Sequence, residues 1–440
     1  MFECVNCGYK TPKWMGRCPE CKSWDSLEEI LEVKNSNRLK TKILSPKRLS
    51  EIDIKKEERF ITGLKEFDRV VGGGVVSGSL VLVSGDPGIG KSTLLLMVSG
   101  LLSKKSEVLY VSGEESQSQI KMRAERLGLG KEGMLIVSES SVESVLELIK
   151  SEKPEVVVVD SIQTMSFSNG KTIPGSVSVI REVTSELMEI AKKNNIIVFI
   201  VGHITKSGNI AGPMTLEHMV DTVLFMEGDS THSFRLLRSK KNRFGSTNEV
   251  GIFDMDENGL KEVSNPSLYL ISGKEKTASG SIIVPTVEGT RPIMVEIQAL
   301  VSPTRFSYPQ RVAGGFNERK LDLLIAVLQK RLMIDMSGYD VYCNIAGGMN
   351  VFEPSIDIGI ILSILSSLLE KPISYDICVV GEVGLSGEIR GVPFLNSRIQ
   401  EAGRIGFKRI IVPGKSGDIK SDIEILKVSN VAEAKEICSL

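Results

Sequence analysis

The nine residues GDPGIGKST, Gly85 to Thr93, constrain what this chain can fold into more than any other feature. They satisfy the spacing G-x-x-x-x-G-K-[ST] of a phosphate-binding loop. The run LVLVSG before them reads as a strand, and KSTLLLMVSGLL after them as an apolar helix, which is the context such a loop requires. Glycines there let successive backbone N–H groups surround a phosphate chain at the helix N-terminus. The pattern assigns Gly85, Asp86, Pro87, Gly88, Ile89, Gly90, Lys91, Ser92 and Thr93 to a nucleotide cradle. Lys91 is expected on the β- and γ-phosphate oxygens and Ser92 on magnesium.

A loop of this kind needs a buried, mostly parallel sheet behind it. From Phe60 to about Val263 the runs VLYVSG, VVVVD, IIVFIVGH and TVLFME alternate with helical patterns. Near-continuous apolar strands separated by helices are the mark of such a sheet, so the fold class is α/β. VVVVD ends on Asp160, where a carboxylate can share the magnesium shell. VSGEES ends another strand on Glu114 and Glu115. Either can polarise an attacking water as general base, and either fits equally well as a first-turn acid favoured by the helix dipole. His203, in VGHITK, ends a strand facing the same rim and reads as a γ-phosphate sensor or as a structural histidine. His218 and His232 carry no further signal.

Cys4, Cys7, Cys18 and Cys21 form two C-x-x-C knuckles ten residues apart. Paired knuckles complete a tetrahedron around zinc and leave no open position, so the site is expected to be structural. A segment this small cannot hold itself together by burial, whereas structural zinc supplies roughly 10–16 kcal/mol in zinc-finger peptides. The remaining cysteines, Cys343, Cys378 and Cys438, are scattered. An odd, clustered set fits a reducing compartment, so a cytoplasmic location is expected.

At 440 residues the chain exceeds one core and suggests two to four domains. A net charge of -1 confines any attraction for nucleic acid or membranes to local patches. No apolar run approaches the ~20 residues of a membrane helix, and the start MFECVNCGYK has no secretory pattern. Two basic patches stand out. Lys34 to Ser50 holds six basic residues and no acidic one, which reads as a linker, and Arg235 to Arg243 holds five basic residues in nine. Past Asn265 to Ser267 the character changes to fewer continuous strands and amphipathic helices, such as RKLDLLIAVLQKRL and IDIGIILSILSSLLE.

The stretch TGLKEFDRVVGGGVVSGSLVLVSGDPGIGKST resembles the opening of RecA-type ATPase cores. With KKNRFGST, CPECKSWDSLEE and TKSGNIAGPMTLEHMVDTVLFME, the chain is similar over essentially its whole length to the bacterial RadA (Sms) family of DNA repair and recombination ATPases. The resemblance implies a four-cysteine zinc module over 1–30, a basic linker over 31–59, a RecA-like P-loop ATPase core over 60–265 and a Lon-protease-like α/β domain over 266–440. It also implies ATP, Mg2+ and Zn2+ as cofactors and a homo-hexameric ring acting on single-stranded and branched DNA. That ring would promote branch migration beside recombinase or replicative helicase machinery. Glu114 takes the catalytic-base position of related hexameric helicases, ahead of Glu115.

The same resemblance gives the run RSKKNRFGST a meaning. A Lys-x-Arg pair from the next subunit can reach the γ-phosphate, and Lys241 and Arg243 have that spacing, alternate residues of an extended segment sharing one side. A guanidinium supplied in trans is worth roughly three to five powers of ten in GTPases. Gly245 would allow a tight turn after them. A rival reading makes these residues contacts to DNA phosphates. Lys241 and Arg243 are therefore expected at the nucleotide, with Lys240 and Arg238 more open to DNA.

EPSIDIGI and GEVGLSGEIRGVPFLNSRIQEAGRIGFKRIIVP resemble the Lon catalytic domain. Ser355 falls on the nucleophile's position, whereas the catalytic lysine's position falls on Asn396, and an amide cannot accept the proton. The domain is expected to be inactive as a protease. Arg305, Arg311 and Arg319 read as a DNA surface or as ordinary solvated charges. An ATP-driven partner switch that ignores DNA, and an ATP-dependent protease, are the alternative functions.

Overall fold

The computed structural model describes residues 2–4, 10–11, 13–24, 27–29, 58–129, 133–168, 173–202, 213–228, 234–271, 273, 278–305, 307–417 and 419–440. The chain forms two compact units, Met1–Lys56 and Glu57–Leu440. In the first, β1 (Phe2–Cys4) pairs antiparallel with both β2 (Lys10–Thr11) and β3 (Leu27–Glu29). Its buried centre is Cys4 and Cys18, with Phe2 and Met15 packed against them. Four such side chains are far too few to hold a fold by burial alone.

The second unit opens with the short antiparallel pair β4 (Arg59–Phe60) and β5 (Val75–Val76) around α1 (Lys65–Val70). There follow β6 (Leu80–Gly85), α2 (Lys91–Leu102), β7 (Val108–Ser112), α3 (Gln117–Arg126), β8 (Leu135–Ser138), α4 (Val142–Glu152) and β9 (Val156–Asp160). Next come α5 (Val177–Asn194), β10 (Ile197–Val201), α6 (Pro213–Met219), β11 (Thr222–Glu227), β12 (Phe234–Asn242), β13 (Val250–Asp256) and β14 (Gly259–Glu262). These build one nine-stranded sheet in the order β14-β13-β12-β11-β6-β10-β9-β7-β8. The pairings from β11 through β8 are parallel, and those from β11 through β14 antiparallel.

The apolar runs are continuous because both faces of the parallel part are covered. Alternate residues of β6 go opposite ways: Val81 and Val83 join the core under α2, Leu80 and Leu82 the core under α5. Helix α3 begins with a capping box, Ser116 and Gln119 each accepting from the other's backbone N–H.

The rest of the unit is α7 (Pro266–Ile271), β15 (Ser281–Glu288), β16 (Arg291–Pro303), β17 (Arg311–Gly314), α8 (Glu318–Arg331), β18 (Tyr339–Ile345), α9 (Asp357–Leu368) and β19 (Ile377–Val379). It ends with β20 (Glu382–Val383), β21 (Ile389–Arg390), α10 (Leu395–Ile405), β22 (Arg409–Pro413), β23 (Glu424–Val428) and α11 (Val431–Ile437). A mixed seven-stranded sheet runs β17-β18-β16-β15-β19-β22-β23. Segment RKLDLLIAVLQKRL forms the amphipathic α8. The second expected amphipathic helix differs: in α9 every residue from Asp357 to Ser366 is buried, so it is a central core helix rather than a surface one.

The two sheets meet at the β15–β16 turn. Gly289 has a positive φ and touches the Asn248 carbonyl so closely that a Cβ could not fit. On either side of it, Glu288 pairs with Arg238 at 2.7 Å and Arg291 with Glu66 at 2.6 Å. One apolar cluster runs from Phe234, Val250 and Ile252 to Ile282, Val284 and Ile297. Among the described residues no helix is long and apolar enough to cross a membrane.

Candidate nucleotide and metal sites

The phosphate loop links β6 to α2 and sits under the end of β11. Gly85, Gly88 and Gly90 all have positive φ. At Gly85 the requirement is steric as well, since a Cβ would collide with the Met226 carbonyl of the adjacent strand. Arg235, buried on β12, braces the loop from below, its Nε donating to the Ile89 carbonyl at 3.2 Å. The Lys91 amine lies inside the loop and donates to the carbonyls of Gly85 (2.9 Å) and Asp86 (2.8 Å). Burial pulls its pKa down, and the negative charges of Asp160, Asp86 and Glu114 oppose that shift. A cation lined up by its own loop at a helix N-terminus fits a polyphosphate.

Asp160, at the end of β9, is the hub of the site. Its Oδ1 accepts from the Ser92 hydroxyl at 3.1 Å and its Oδ2 from the Tyr110 hydroxyl at 2.6 Å. Arg123, on α3, stands 3.9 Å from Oδ2. Burial, and then the Asp160 charge, hold the Tyr110 phenol well above its ordinary pKa, so it stays a donor. The Ser92–Asp160 pair offers a hydroxyl and a carboxylate side by side, which fits magnesium's demand for oxygen ligands.

The two glutamates that follow β7 part company here. Glu115 is held by Arg123 at 2.8 Å. Glu114 instead accepts from the Ser161 hydroxyl at 2.6 Å, next to Asp160, and its charge is felt at Lys91. Of the two, Glu114 faces the loop.

Lys241 and Arg243 lie elsewhere. Strand register puts Thr222 opposite both Val81 and Asn242, while Met226 stands opposite Gly85. The basic pair is thus about four residues, roughly 13 Å, along the strands from the chain's own phosphate loop. Both side chains reach the segment from Glu217 to Asp221. Lys241 donates to the carbonyls of Glu217 (2.7 Å) and His218 (3.2 Å), and Arg243 to Asp221 at 3.4 Å while 55% exposed. Lys240 is exposed with its amine 3.6 Å from the Phe225 ring centroid. Arg238 corrects the sequence reading: rather than open to solvent, it is clamped between Glu227 (2.9 Å) and Glu288 (2.7 Å).

In the ribbon, the sulfurs of Cys4, Cys18 and Cys21 lie within 4.8 Å of one another, Cys4 and Cys21 at 3.6 Å. Tetrahedral zinc with Zn–S bonds of 2.3 Å needs sulfurs about 3.8 Å apart, so the trio fits. Cys7, the expected fourth ligand, lies outside the described residues, as do His203 and His232. His218 is exposed near the end of α6.

In the second sheet's domain Ser355 is 1% exposed, and the group facing it is Arg398, not Asn396. Arg398 is wholly buried and donates to Ser355 Oγ at 3.2 Å, to the Pro285 carbonyl at 2.6 Å and to both Glu353 oxygens at 2.8 and 2.6 Å. A guanidinium has no acceptor, so it cannot take the serine's proton. Asn396 is exposed on α10. Arg311 is tied to the Met336 and Tyr339 carbonyls, while Arg305 and Arg319 are exposed.

Sequence reasoning missed Tyr110, Arg123, Arg235 and Arg398. A tyrosine inside the apolar run VLYVS was the one available signal, since a buried phenol needs a partner.

Loop, strand-end carboxylates and sheet order together define a RecA-like P-loop ATPase, here joined to a zinc ribbon and a Lon-type domain. Family models agree: a rubredoxin metal binding domain matches residues 2–29, an AAA domain 46–209 and a Lon protease (S16) C-terminal proteolytic domain 336–437. DNA repair protein RadA of Bacillus subtilis is 50% identical, covering 98% of this chain and 97% of its own. Those of Halalkalibacterium halodurans (47%; 99% and 98%) and Listeria monocytogenes (48%; 98% and 96%) are similar throughout as well. The chain belongs to the RadA family of bacterial DNA repair proteins. Among solved structures, the RadB recombinase is 25% identical and covers 46% of this chain and 99% of its own, at a TM-score of 0.36. A KaiC-like protein from Pyrococcus horikoshii is 20% identical over 47% and 99%, at 0.40.

Proposed function

We propose that this chain is a DNA-dependent ATPase whose subunits form a ring that binds single-stranded and branched DNA and promotes branch migration of recombination intermediates. The observation that carries the reading is the distance between the phosphate loop and the Lys241–Arg243 pair. A pair that belongs to an ATPase site but lies a strand-length from its own loop acts on a neighbour's. In this reading Lys91 holds the phosphates, Ser92 and Asp160 hold magnesium, and Glu114 accepts the proton of the attacking water. Lys241 and Arg243 meet the γ-phosphate charge of the adjoining subunit, where a guanidinium counts most in the transition state. Cys4, Cys7, Cys18 and Cys21 hold a structural zinc. Recombinase or replicative helicase machinery supplies the DNA intermediates.

The test is ATP hydrolysis by wild type and by Lys241→Ala, each with and without single-stranded DNA, over a salt series. Stimulation by DNA in wild type that is lost in the variant is the expected result. Hydrolysis indifferent to DNA at every salt concentration would remove DNA from the proposal and leave an ATP-driven partner switch.

A further inference from the structure

Both tryptophans of the chain lie in the ribbon, and both are exposed, Trp14 by 56% and Trp24 by 73%. Burying an aromatic side chain is among the largest stabilising contributions open to a small domain, yet this ribbon leaves the two out of its centre of Cys4, Cys18, Phe2 and Met15. The two rings nonetheless lie together. Each ring edge comes within 4 Å of a Cβ built on Gly16, at 3.8 Å for Trp14 and 3.9 Å for Trp24, so the indoles are neighbours across one backbone position. Trp24 also forms a β-bridge with Arg17, whose guanidinium lies 5.6 Å from the ring centroid. The Arg17 Nε is fixed in turn by the Lys22 carbonyl at 2.8 Å.

Among the ribbon's described side chains the charge has one sign in excess. Lys13, Arg17 and Lys22 are all exposed within residues 13–24, against the single acid Glu20. Neighbouring open rings with cations beside them are what a single strand of nucleic acid needs: π-faces for its bases and positive charge for its phosphates. A protein-docking patch built on tryptophan would not need that excess of cations. We propose that Trp14 and Trp24 form a base-stacking platform for single-stranded nucleic acid, with Lys13, Arg17 and Lys22 meeting its phosphates. The inference rests on the DNA-binding reading above and adds a contact remote from the nucleotide site.

Because the chain has no other tryptophan, its tryptophan emission, excited selectively over that of its seven tyrosines, reports on this platform alone. Oligo(dT) would be titrated into the full-length zinc-loaded protein while emission is followed, with anisotropy of a labelled oligo(dT) as an independent record of binding. Quenching of emission in step with the anisotropy is expected. Trp14→Ala/Trp24→Ala should weaken oligo(dT) binding roughly 10- to 100-fold with zinc content and DNA-independent hydrolysis unchanged, and Trp14→Phe/Trp24→Phe should restore most of it. Anisotropy that rises while emission stays silent would overturn the platform but leave the DNA motor standing. Emission that responds only to an added recombinase would overturn it in favour of a protein-docking patch. No binding by anisotropy in wild type would overturn the DNA reading itself, and the platform with it.

Discussion

The Asp160 carboxylate shows how finely one side chain is set. Its two oxygens have separate company: Oδ1 meets the Ser92 hydroxyl, while Oδ2 is held by the Tyr110 phenol and lies near Arg123. That division fixes which oxygen faces the hydroxyl expected on magnesium. Removing the phenol should free the carboxylate to rotate. Tyr110→Phe is expected to slow hydrolysis about tenfold, in line with about 1.5 kcal/mol for a hydrogen bond to a charged group, and to raise the magnesium concentration at half-maximal rate. A magnesium titration at saturating ATP checks this, and an unchanged midpoint with normal rates would show that Tyr110 only fills space. Asp160 was legible from its place at the end of VVVVD. Its oxygen-by-oxygen arrangement was not, because a tyrosine within an apolar run reads first as core, and Arg123 lies on a helix whose sequence shows only ordinary charges. The choice between Glu114 and Glu115 likewise depended on Arg123, a partner eight positions along the chain that no local pattern ties to either.

At the scale of elements, the strand–loop–helix unit of β6 and α2 was readable in full, since loop glycines, strand and apolar helix follow one another in sequence. The Lon-type site was only half readable. The sequence reading rested the loss of proteolysis on Asn396, but α10 turns that residue outward and presents Arg398 inward, two positions on. The turn of a helix separates neighbouring positions by about 100°, so a register shift of two changes which residue enters the site. An arginine was not an obvious candidate for a fully buried position, because its burial depends on Glu353, 45 residues away in sequence. Supplying a lysine at Asn396 should therefore fail to create a protease. Asn396→Lys is expected to leave casein intact in the presence of ATP, because Arg398 still fills the space beside Ser355; degradation that disappears again with Ser355→Ala would refute the assignment of the blocking group.

At the largest scale, β12 ties three parts of the second unit together. Arg235 braces the phosphate loop, Arg238 bridges Glu227 to Glu288 at the junction of the two sheets, and Lys241 leads to Arg243 at the far end. The run of basic residues was visible from sequence, but its division of labour was not, since it follows from pairings with strands and turns distant in the chain. Arg243 is tethered by Asp221 and yet more than half exposed, so a neighbour can draw it away at small cost. Asp221 is itself buried, but it keeps the Lys192 amine at 2.7 Å and so is not left unpaired when Arg243 swings away. Arg243→Ala is accordingly expected to bind ATP normally and hydrolyse it at least a thousandfold more slowly. Lys91→Ala, lacking the amine proposed to hold the phosphates, should be equally inactive. Mixing the two variants gives boundaries where an intact loop from the first meets an intact Arg243 from the second, and hydrolysis should return there. Recovery that rises and falls with the mixing ratio, peaking near equal amounts, would establish a shared site. A mixture as dead as its components, at concentrations where the two co-assemble, would place Arg243 in its own subunit's affairs or on DNA, and the ring reading of the strand register would have to be given up.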